Sequence, residues 1–190
     1  MKNIRITLAA LAVMGLAASC SNEPKTFTGT IADASMNTVT VKEAVGDRTV
    51  TFSTMNADKA AAYGLLLGAP ITVDYKGRLK EGVAATRVAT DPTYSAAVGR
   101  WTMADPNDPE AVMGIEIEVE GQAQSINMAT LLYNAWKLTG EPNRIELFGQ
   151  SLGNGQTIDF TQTGLISKGA DDSYSLTIEG TDAVYTKANE

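Results

Sequence analysis

Hydrophobic and polar residues alternate with a period of two along most of the chain after the first 26 residues, the pattern of half-buried β-strands. In the first half, β-branched runs are separated by turn residues at 35–37 and 45–47. The strands that this pattern predicts lie at residues 28–31, 38–42, 48–52, 71–76 and 83–88. Residues 56–67 are rich in alanine and leucine, which predicts a short helix ended by Gly68 and Pro70.

The predicted order of elements is three strands, a helix and two more strands. This order resembles that of the five-stranded oligonucleotide/oligosaccharide-binding (OB) barrel. The resemblance covers residues 27–90 and rests on the order of the elements. We expect the aromatic residues of this domain to be core residues rather than a stacking platform for nucleic acid: Phe27, Phe52, Tyr63 and Tyr75.

The second half predicts an uninterrupted series of strands. Asp91-Pro92 favours an extended joint, so residues 91–97 are predicted to link the first domain to a second domain at residues 98–190. Strand patterns start at Gly99 and continue at residues 114–120, 123–127, 131–139, 144–148, 156–163, 165–168, 173–179 and 183–187. About eight strands joined by short turns predict an up-and-down antiparallel barrel, which makes the predicted fold class mainly all-β.

Particular motifs in this half resemble a known family. Gly99 and Trp101 match the Gly-x-Trp signature that opens the first strand of lipocalin barrels. The runs at 125–131, 136–138 and 151–158 are similar to the lipocalin-like domain of Bacteroides cell-envelope lipoproteins. The resemblance implies the barrel architecture and a plug role for Trp101, but it contributes no catalytic residue.

The N-terminus has the three parts of a bacterial secretion signal. Lys2 and Arg5 precede an apolar run at 6–18, which is shorter than the ~20 residues that span a bilayer. Small residues then precede Cys20, the only cysteine, in an arrangement that resembles the lipobox of Bacteroidetes lipoproteins. We therefore expect a signal peptide at 1–19, a lipid anchor on Cys20, a tether at 20–26 and a location in the cell envelope, at the outer membrane. The alternative is an ordinary cleaved signal with a spare thiol.

The amino-acid composition excludes or disfavours several kinds of active site, metal site and partner. The 190 residues include no histidine, which excludes Ser-His-Asp and Cys-His nucleophiles and histidine-ligated metals. The 15 basic and 22 acidic residues give a net charge of −7, which disfavours a nucleic-acid partner. We expect no enzyme activity, no cofactor and no metal.

Three local patterns could suggest chemistry and have simpler interpretations. Residues 149–153 fit Gly-x-Ser-x-Gly, but they lie between predicted antiparallel strands and lack a histidine partner. The alternating glutamates at 116, 118 and 120 lie opposite an apolar face, so they should face water. The acidic residues at 105–110 could ligate calcium, although a polar loop at the barrel mouth is the usual interpretation.

A binding site inside the barrel is the remaining candidate. An eight-stranded barrel is either filled by side chains or holds one small ligand. Met103, Met113 and Tyr133 are the predicted ligand-binding residues, because the methionines should lie near one rim.

Three functions remain open. The first is an envelope lipoprotein that binds a small apolar or amphipathic molecule. The second is a structural accessory protein that docks other envelope proteins. The third is an envelope-stress sensor.

Overall fold

The computed structural model describes residues 23–188, with the side chain of Pro109 excepted. These residues are mostly β-structure, arranged as a six-stranded mixed sheet followed by a nearly closed barrel of eight antiparallel strands. The predicted all-β fold class and the eight-stranded barrel are confirmed. Within the described residues, no helix is long and apolar enough to cross a membrane.

The first sheet forms around alternating β-branched and aromatic residues. Its strands are β1 (Pro24–Ala34), β2 (Thr38–Glu43), β3 (Thr49–Ser53), β4 (Asp58–Ala61), β5 (Pro70–Lys76) and β6 (Val83–Thr90). Strand order is β3-β2-β1-β5-β6-β4, and a parallel pairing between β3 and β6 turns the five longer strands into a ring. Phe52 is fully buried inside it, with the rings of Phe27 and Tyr75 at 5.4 and 5.8 Å. Tyr63, which we expected in the core, is instead 58% exposed.

The helix predicted at 56–67 is wrong. Asp58–Ala61 form β4, which pairs in parallel with β6, and Gly64 and Gly68 adopt positive φ angles of 125° and 76°. Alanine and leucine favour helices only weakly, and tertiary pairing overrode that preference here. The ring of five strands supports the OB-like prediction, which stays a prediction because its helix is replaced by a strand. Strand β1 also begins at Pro24, so the predicted tether is shorter than residues 20–26.

The barrel strands follow the chain as an antiparallel meander. They are β7 (Gly99–Asp105), β8 (Asp108–Ile117), β9 (Ala123–Ile126), β10 (Leu131–Leu138), β11 (Arg144–Gly153), β12 (Gln156–Lys168), β13 (Tyr174–Ile178) and β14 (Val184–Lys187). Strand β14 pairs with β7, and a bridge between Gln122 and Ala135 joins the β9 and β10 edges. Residues 156–168 form one strand where we predicted two, and residues 119–121 form a 3-10 turn rather than the end of a strand.

The residues predicted as the linker 91–97 are not an extended joint. Pro92–Ala97 form helix α1, the one α-helix in the described part of the chain, with the Asp91 carboxylate accepting a hydrogen bond from the Tyr94 N–H at 3.0 Å. A proline in the first turn with an aspartate cap is a favourable helix start. The helix contacts both domains: the Tyr94 hydroxyl donates to the Leu67 carbonyl, and Thr93 Oγ1 accepts from the Asn143 N–H.

Close packing between β7 and β8 gives a test of the barrel's structure. A Cβ at Gly114 would overlap the main-chain oxygen of Trp101, so we expect Gly114→Ala to lower the free energy of unfolding by about 1–3 kcal/mol. Gly153→Ala is the matched control, because nothing lies within 4 Å of a Cβ there. Denaturant unfolding followed by tryptophan fluorescence reports on the barrel, which holds both tryptophans. Equal stability of the two variants would contradict the packing described.

Candidate functional site

One end of the barrel is closed by the Gly-x-Trp motif. Trp101 is fully buried, and its indole N–H donates to the Ala97 carbonyl at the end of α1, at 2.7 Å. Gly99 has a φ of 136°, which the turn from α1 into β7 requires and which glycine alone adopts readily. The motif therefore ties the helix to the first barrel strand and fills the barrel end beneath it.

Lys187 completes this closed end and was missed by the sequence analysis. Its Nζ donates to the Ala96 carbonyl at 2.7 Å and lies 5.5 Å from the centre of the Trp101 ring. A Cβ at Gly99 would approach Lys187 Cε to 2.7 Å, so the glycine also makes room for this side chain. No sequence signal could have shown that a lysine in the last strand turns toward the plug.

The second tryptophan, on β10, stabilises the same closed end of the barrel. Trp136 is 3% exposed, and its N–H donates to the Glu118 carbonyl at 2.7 Å. The centre of its ring lies 5.0 Å from that of Tyr94, with the two rings tilted by 43°, and the Tyr94 hydroxyl accepts a hydrogen bond from the Glu120 N–H. Burial raises the pKa of Tyr94, so its phenol stays protonated and available for both hydrogen bonds at neutral pH.

The opposite end is the mouth, defined here as the end reached by the β7–β8 and β11–β12 hairpins. Strand β7 leaves α1 at Gly99, and β11 starts at Arg144, whose neighbour Asn143 bonds to α1. Both strands therefore run away from the helix, and their hairpins lie at the far end. The β9–β10 connection reaches the same end, where the Leu152 N–H donates to the Thr130 carbonyl.

Met103 and Met113 lie together near this mouth. They are directly opposite each other in the β7–β8 register, two residues beyond the buried pair Trp101 and Ile115. Both methionines therefore occupy the inner face of the barrel, yet both are only half-buried. A flexible, half-buried thioether pair is suited to contact an apolar ligand of irregular shape.

Tyr133 lies on another wall of the barrel, on β10. It is 5% exposed, its ring meets Phe160 edge-to-face at 5.3 Å, and its hydroxyl donates to Gln162 Oε1 at 2.6 Å. Burial raises the pKa of Tyr133 well above its ordinary value, which keeps the phenol neutral. Phe160 and Gln162 were not among the predicted site residues, because the sequence predicts the order of the strands but not the register that brings these side chains to Tyr133.

The three predicted ligand-binding residues therefore all lie on the inner surface of the barrel, but they do not form one cluster. In the strand order, β8 and β12 are four positions apart around the eight-stranded barrel, so Met113 and Phe160 line opposite walls. Ile158 extends the Phe160 wall toward the β11–β12 hairpin and is 61% exposed. Phe148, in contrast, lies on the outer face, under Lys137 Nζ at 5.2 Å.

Charge is distributed unevenly between the two ends of the barrel. Among the described barrel residues, every lysine and arginine lies toward the α1 end: Arg100, Lys137, Arg144, Lys168 and Lys187. The β7–β8 hairpin at the mouth instead carries Asp105, Asp108 and Glu110. These three carboxylates form an acidic rim on one side of the mouth. No group of acidic side chains within residues 23–188 is arranged to hold a metal ion.

The serine motif lies in an environment unlike that of a hydrolase. Residues 149–153 belong to β11, which pairs antiparallel with β10 and β12. A nucleophile elbow requires a turn from a strand into a helix, which this strand does not make.

The alternating glutamates do not form a carboxylate pair on one strand. Glu116 is the second-to-last residue of β8, and Glu118 accepts a hydrogen bond from Gln124 Nε2. Glu120 lies in the 3-10 turn with a φ of 61°. The three residues therefore occupy different backbone settings.

Comparison with known proteins assigns the barrel to a family. The family model described as lipocalin-like matches residues 93–188, slightly more than half of the chain, and the chain therefore belongs to the lipocalin-like family. The match starts inside α1, so the helix goes with the barrel rather than with a linker.

A solved structure is similar to about half of the chain. A lipocalin-like protein from Bacteroides thetaiotaomicron is 41% identical, with 48% of this chain and 96% of that chain covered and a TM-score of 0.41. No curated protein matches the chain.

The buried phenol of Tyr133 predicts a loss of stability at high pH. Its pKa is raised in the folded barrel, so the folded state keeps a proton that the unfolded chain releases above about pH 10. The free energy of unfolding should therefore fall as pH rises above about 10, and Tyr133→Phe should make the fall shallower. Tyr63→Phe, which removes the hydroxyl of a tyrosine that is 58% exposed, is the control and should leave the slope unchanged. Identical slopes for the wild type and Tyr133→Phe, measured by urea unfolding between pH 8 and 11, would contradict this assignment.

Proposed function

We propose that this protein is a non-catalytic, lipid-anchored binding protein of the cell envelope, whose barrel takes up a small apolar molecule through the mouth. The observation that carries the proposal is the asymmetry of the barrel. Trp101 fills one end completely, whereas Met103, Met113 and Phe160 line the other end and are only partly buried. An apolar concave surface with a few polar groups is the usual form of a small-molecule site.

Tyr133 and Gln162 supply the polar part of this site. Their hydrogen bond lies among apolar side chains, so it can orient a ligand that carries one hydroxyl, amide or ester group. The phenol is neutral and can donate, and the amide can also accept and donate. A ligand with one polar group on an apolar body suits this arrangement.

The acidic rim restricts the ligand's headgroup. A carboxylate entering past Asp105, Asp108 and Glu110 would meet like charges, and no described lysine or arginine lies at this end to pair with it. Like charges brought together cost free energy, whereas a cationic or neutral group avoids that cost. We infer that the preferred ligand is a neutral or cationic amphiphile rather than a fatty acid.

The methionine pair gives the first test of this function. Met103→Gln/Met113→Gln keeps the length of both side chains but makes them polar. We expect it to weaken binding of the neutral fluorescent dye N-phenyl-1-naphthylamine by at least about tenfold, a loss of about 1.4 kcal/mol. Val112→Gln, on the outer face of the same strand and 42% exposed, is the control and should bind like the wild type. Displacement of the dye by dodecyltrimethylammonium, dodecanol and dodecanoate then ranks the headgroups.

Each outcome of the dye experiment bears on a stated alternative. Strongest displacement by dodecanoate would contradict the inferred headgroup preference. Absence of dye binding by the wild type, together with a stability loss of about 2–5 kcal/mol in Met103→Ala and Met113→Ala, would indicate a filled barrel. The structural accessory function would then be the better one.

The anchor gives a separate test. Cys20 lies outside the described residues, and the proposal rests on its position directly after the signal sequence. Cys20→Ala should move the protein from the membrane fraction to the soluble fraction, because acyl chains contribute about 0.8 kcal/mol of membrane affinity per buried methylene. A wild type that is not labelled by radioactive palmitate would refute the anchor while leaving the binding site untested by that result.

A further inference from the structure

The two domains differ sharply in charge. Residues 23–90 hold eight basic and seven acidic residues, whereas residues 91–188 hold five basic and fourteen acidic residues. The first domain therefore has a net charge of +1 and the barrel a net charge of −9. Such asymmetry between parts of a chain is typical of proteins that meet a charged surface.

The cations of the first domain concentrate at one end of its sheet. This basic end consists of the start of β1, the β2–β3 turn and the β5–β6 turn, with exposed Lys25, Arg48, Lys76, Arg78 and Lys80.

Hydrogen bonds and a ring contact hold these segments together. Lys25 Nζ donates to the Gly77 carbonyl at 2.8 Å, and the Gly82 N–H donates to the Thr51 carbonyl. The Arg48 guanidinium lies 5.9 Å from the Phe27 ring. The basic end is therefore one continuous surface.

Acidic residues at this end offset only part of the charge. Glu23, Asp47 and Glu81 lie in the same segments, and Glu81 accepts a hydrogen bond from the Thr51 N–H at 3.1 Å. Glu43 at the end of β2 also forms an ion pair with Arg48, so five cations face four carboxylates. The local excess of positive charge comes from the end of β5 and the β5–β6 turn, where Lys76, Arg78 and Lys80 stand against Glu81 alone. Val45 lies in the β2–β3 turn, 88% exposed and apolar.

The basic end points away from the barrel. Strands β5 and β6 form a hairpin whose turn, residues 77–82, belongs to the basic end. The other end of the hairpin, at Pro70 and Thr90, leads through Asp91 into α1 and the closed end of the barrel. The seven residues of β5 separate the two by roughly 20 Å.

The chain leaves the fold at the same basic end. Cys20 precedes Pro24 by four residues, a reach of at most about 14 Å. An anchor at Cys20 would thus hold the basic end within roughly one to two Debye lengths of the headgroups at physiological ionic strength.

We propose that the basic end is a membrane-docking face that lies on anionic lipid headgroups in the anchored protein. This inference rests on the proposed lipid anchor. Lys76, Arg78 and Lys80 attract the surface, the exposed Val45 side chain meets the interface, and the acidic barrel is repelled from it. The first domain then acts as a spacer, and the mouth opens on the side away from the bilayer. The ligand therefore enters from the aqueous side rather than from the membrane to which the protein is anchored.

Labelling at two sites tests the orientation in the full-length acylated protein. Cys20 is the only cysteine, so once it is acylated an introduced cysteine is the one free thiol. Val45→Cys places a fluorophore on the basic end, and Met36→Cys, 87% exposed in the β1–β2 turn, places it roughly 20–25 Å away. In vesicles of equal phosphatidylglycerol and phosphatidylcholine carrying a headgroup quencher, we expect several-fold stronger quenching at position 45 than at position 36.

Charge variants separate docking from mere tethering. Lys76→Gln/Arg78→Gln/Lys80→Gln should reduce quenching at position 45 several-fold, as should 0.5 M salt or vesicles of phosphatidylcholine alone. The control Lys42→Gln/Lys59→Gln/Lys137→Gln changes the net charge equally at exposed positions elsewhere and should retain the quenching.

The outcomes distinguish the proposed docking face from the proposed lipid anchor. Quenching at position 45 that is independent of salt, lipid charge and the triple substitution would overturn the docking face while the anchor stands. Equal quenching at both positions would overturn it as well. Protein that does not incorporate into vesicles at all would refute the anchor, and with it the basis of the docking face.

Discussion

The barrel depends on the burial of Trp101 against helix α1. Its ring is fully enclosed, and its N–H bonds to the Ala97 carbonyl, which would otherwise remain unpaired at the end of the helix. Lys187 adds a second hydrogen bond to the adjacent carbonyl and covers the ring from the last strand. Because this contact joins β7, β14 and the helix, it fixes the closed end of the barrel.

The same helix couples the two domains. Tyr94 packs its ring against Trp136 in the barrel, and its hydroxyl donates to the Leu67 carbonyl in the first domain and accepts from the Glu120 N–H. A single phenol thus satisfies main-chain groups on both sides of the junction. The resulting junction lies at the closed end of the barrel, so the proposed binding site at the mouth is separated from the contacts of the first domain.

The charged residues are also distributed unevenly between the two domains and between the two ends of the barrel. The cations of the barrel lie toward α1, and the mouth carries carboxylates, whereas the first domain gathers cations at its far end. A basic end, a junction and an acidic mouth therefore follow one another along the molecule. This order fits the proposed lipid anchor, which would place the proposed binding site away from an anionic bilayer.

The alternation of side chains alone predicted most of the strands, the antiparallel barrel and the position of the two methionines near one rim. Those features are local, since a period of two fixes which residues share a face and Gly99 marks the turn that opens the barrel. The helix predicted at 56–67 failed because pairing of β4 with β6 outweighed the weak preference of alanine. Helix α1 was not predicted because the sequence Asp91-Pro92 is compatible both with an extended linker and with the capped start of a helix. The tertiary structure alone decided the contacts of Tyr133 with Phe160 and Gln162, the inward position of Lys187 and the gathering of cations at one end, because each depends on which distant segments become neighbours.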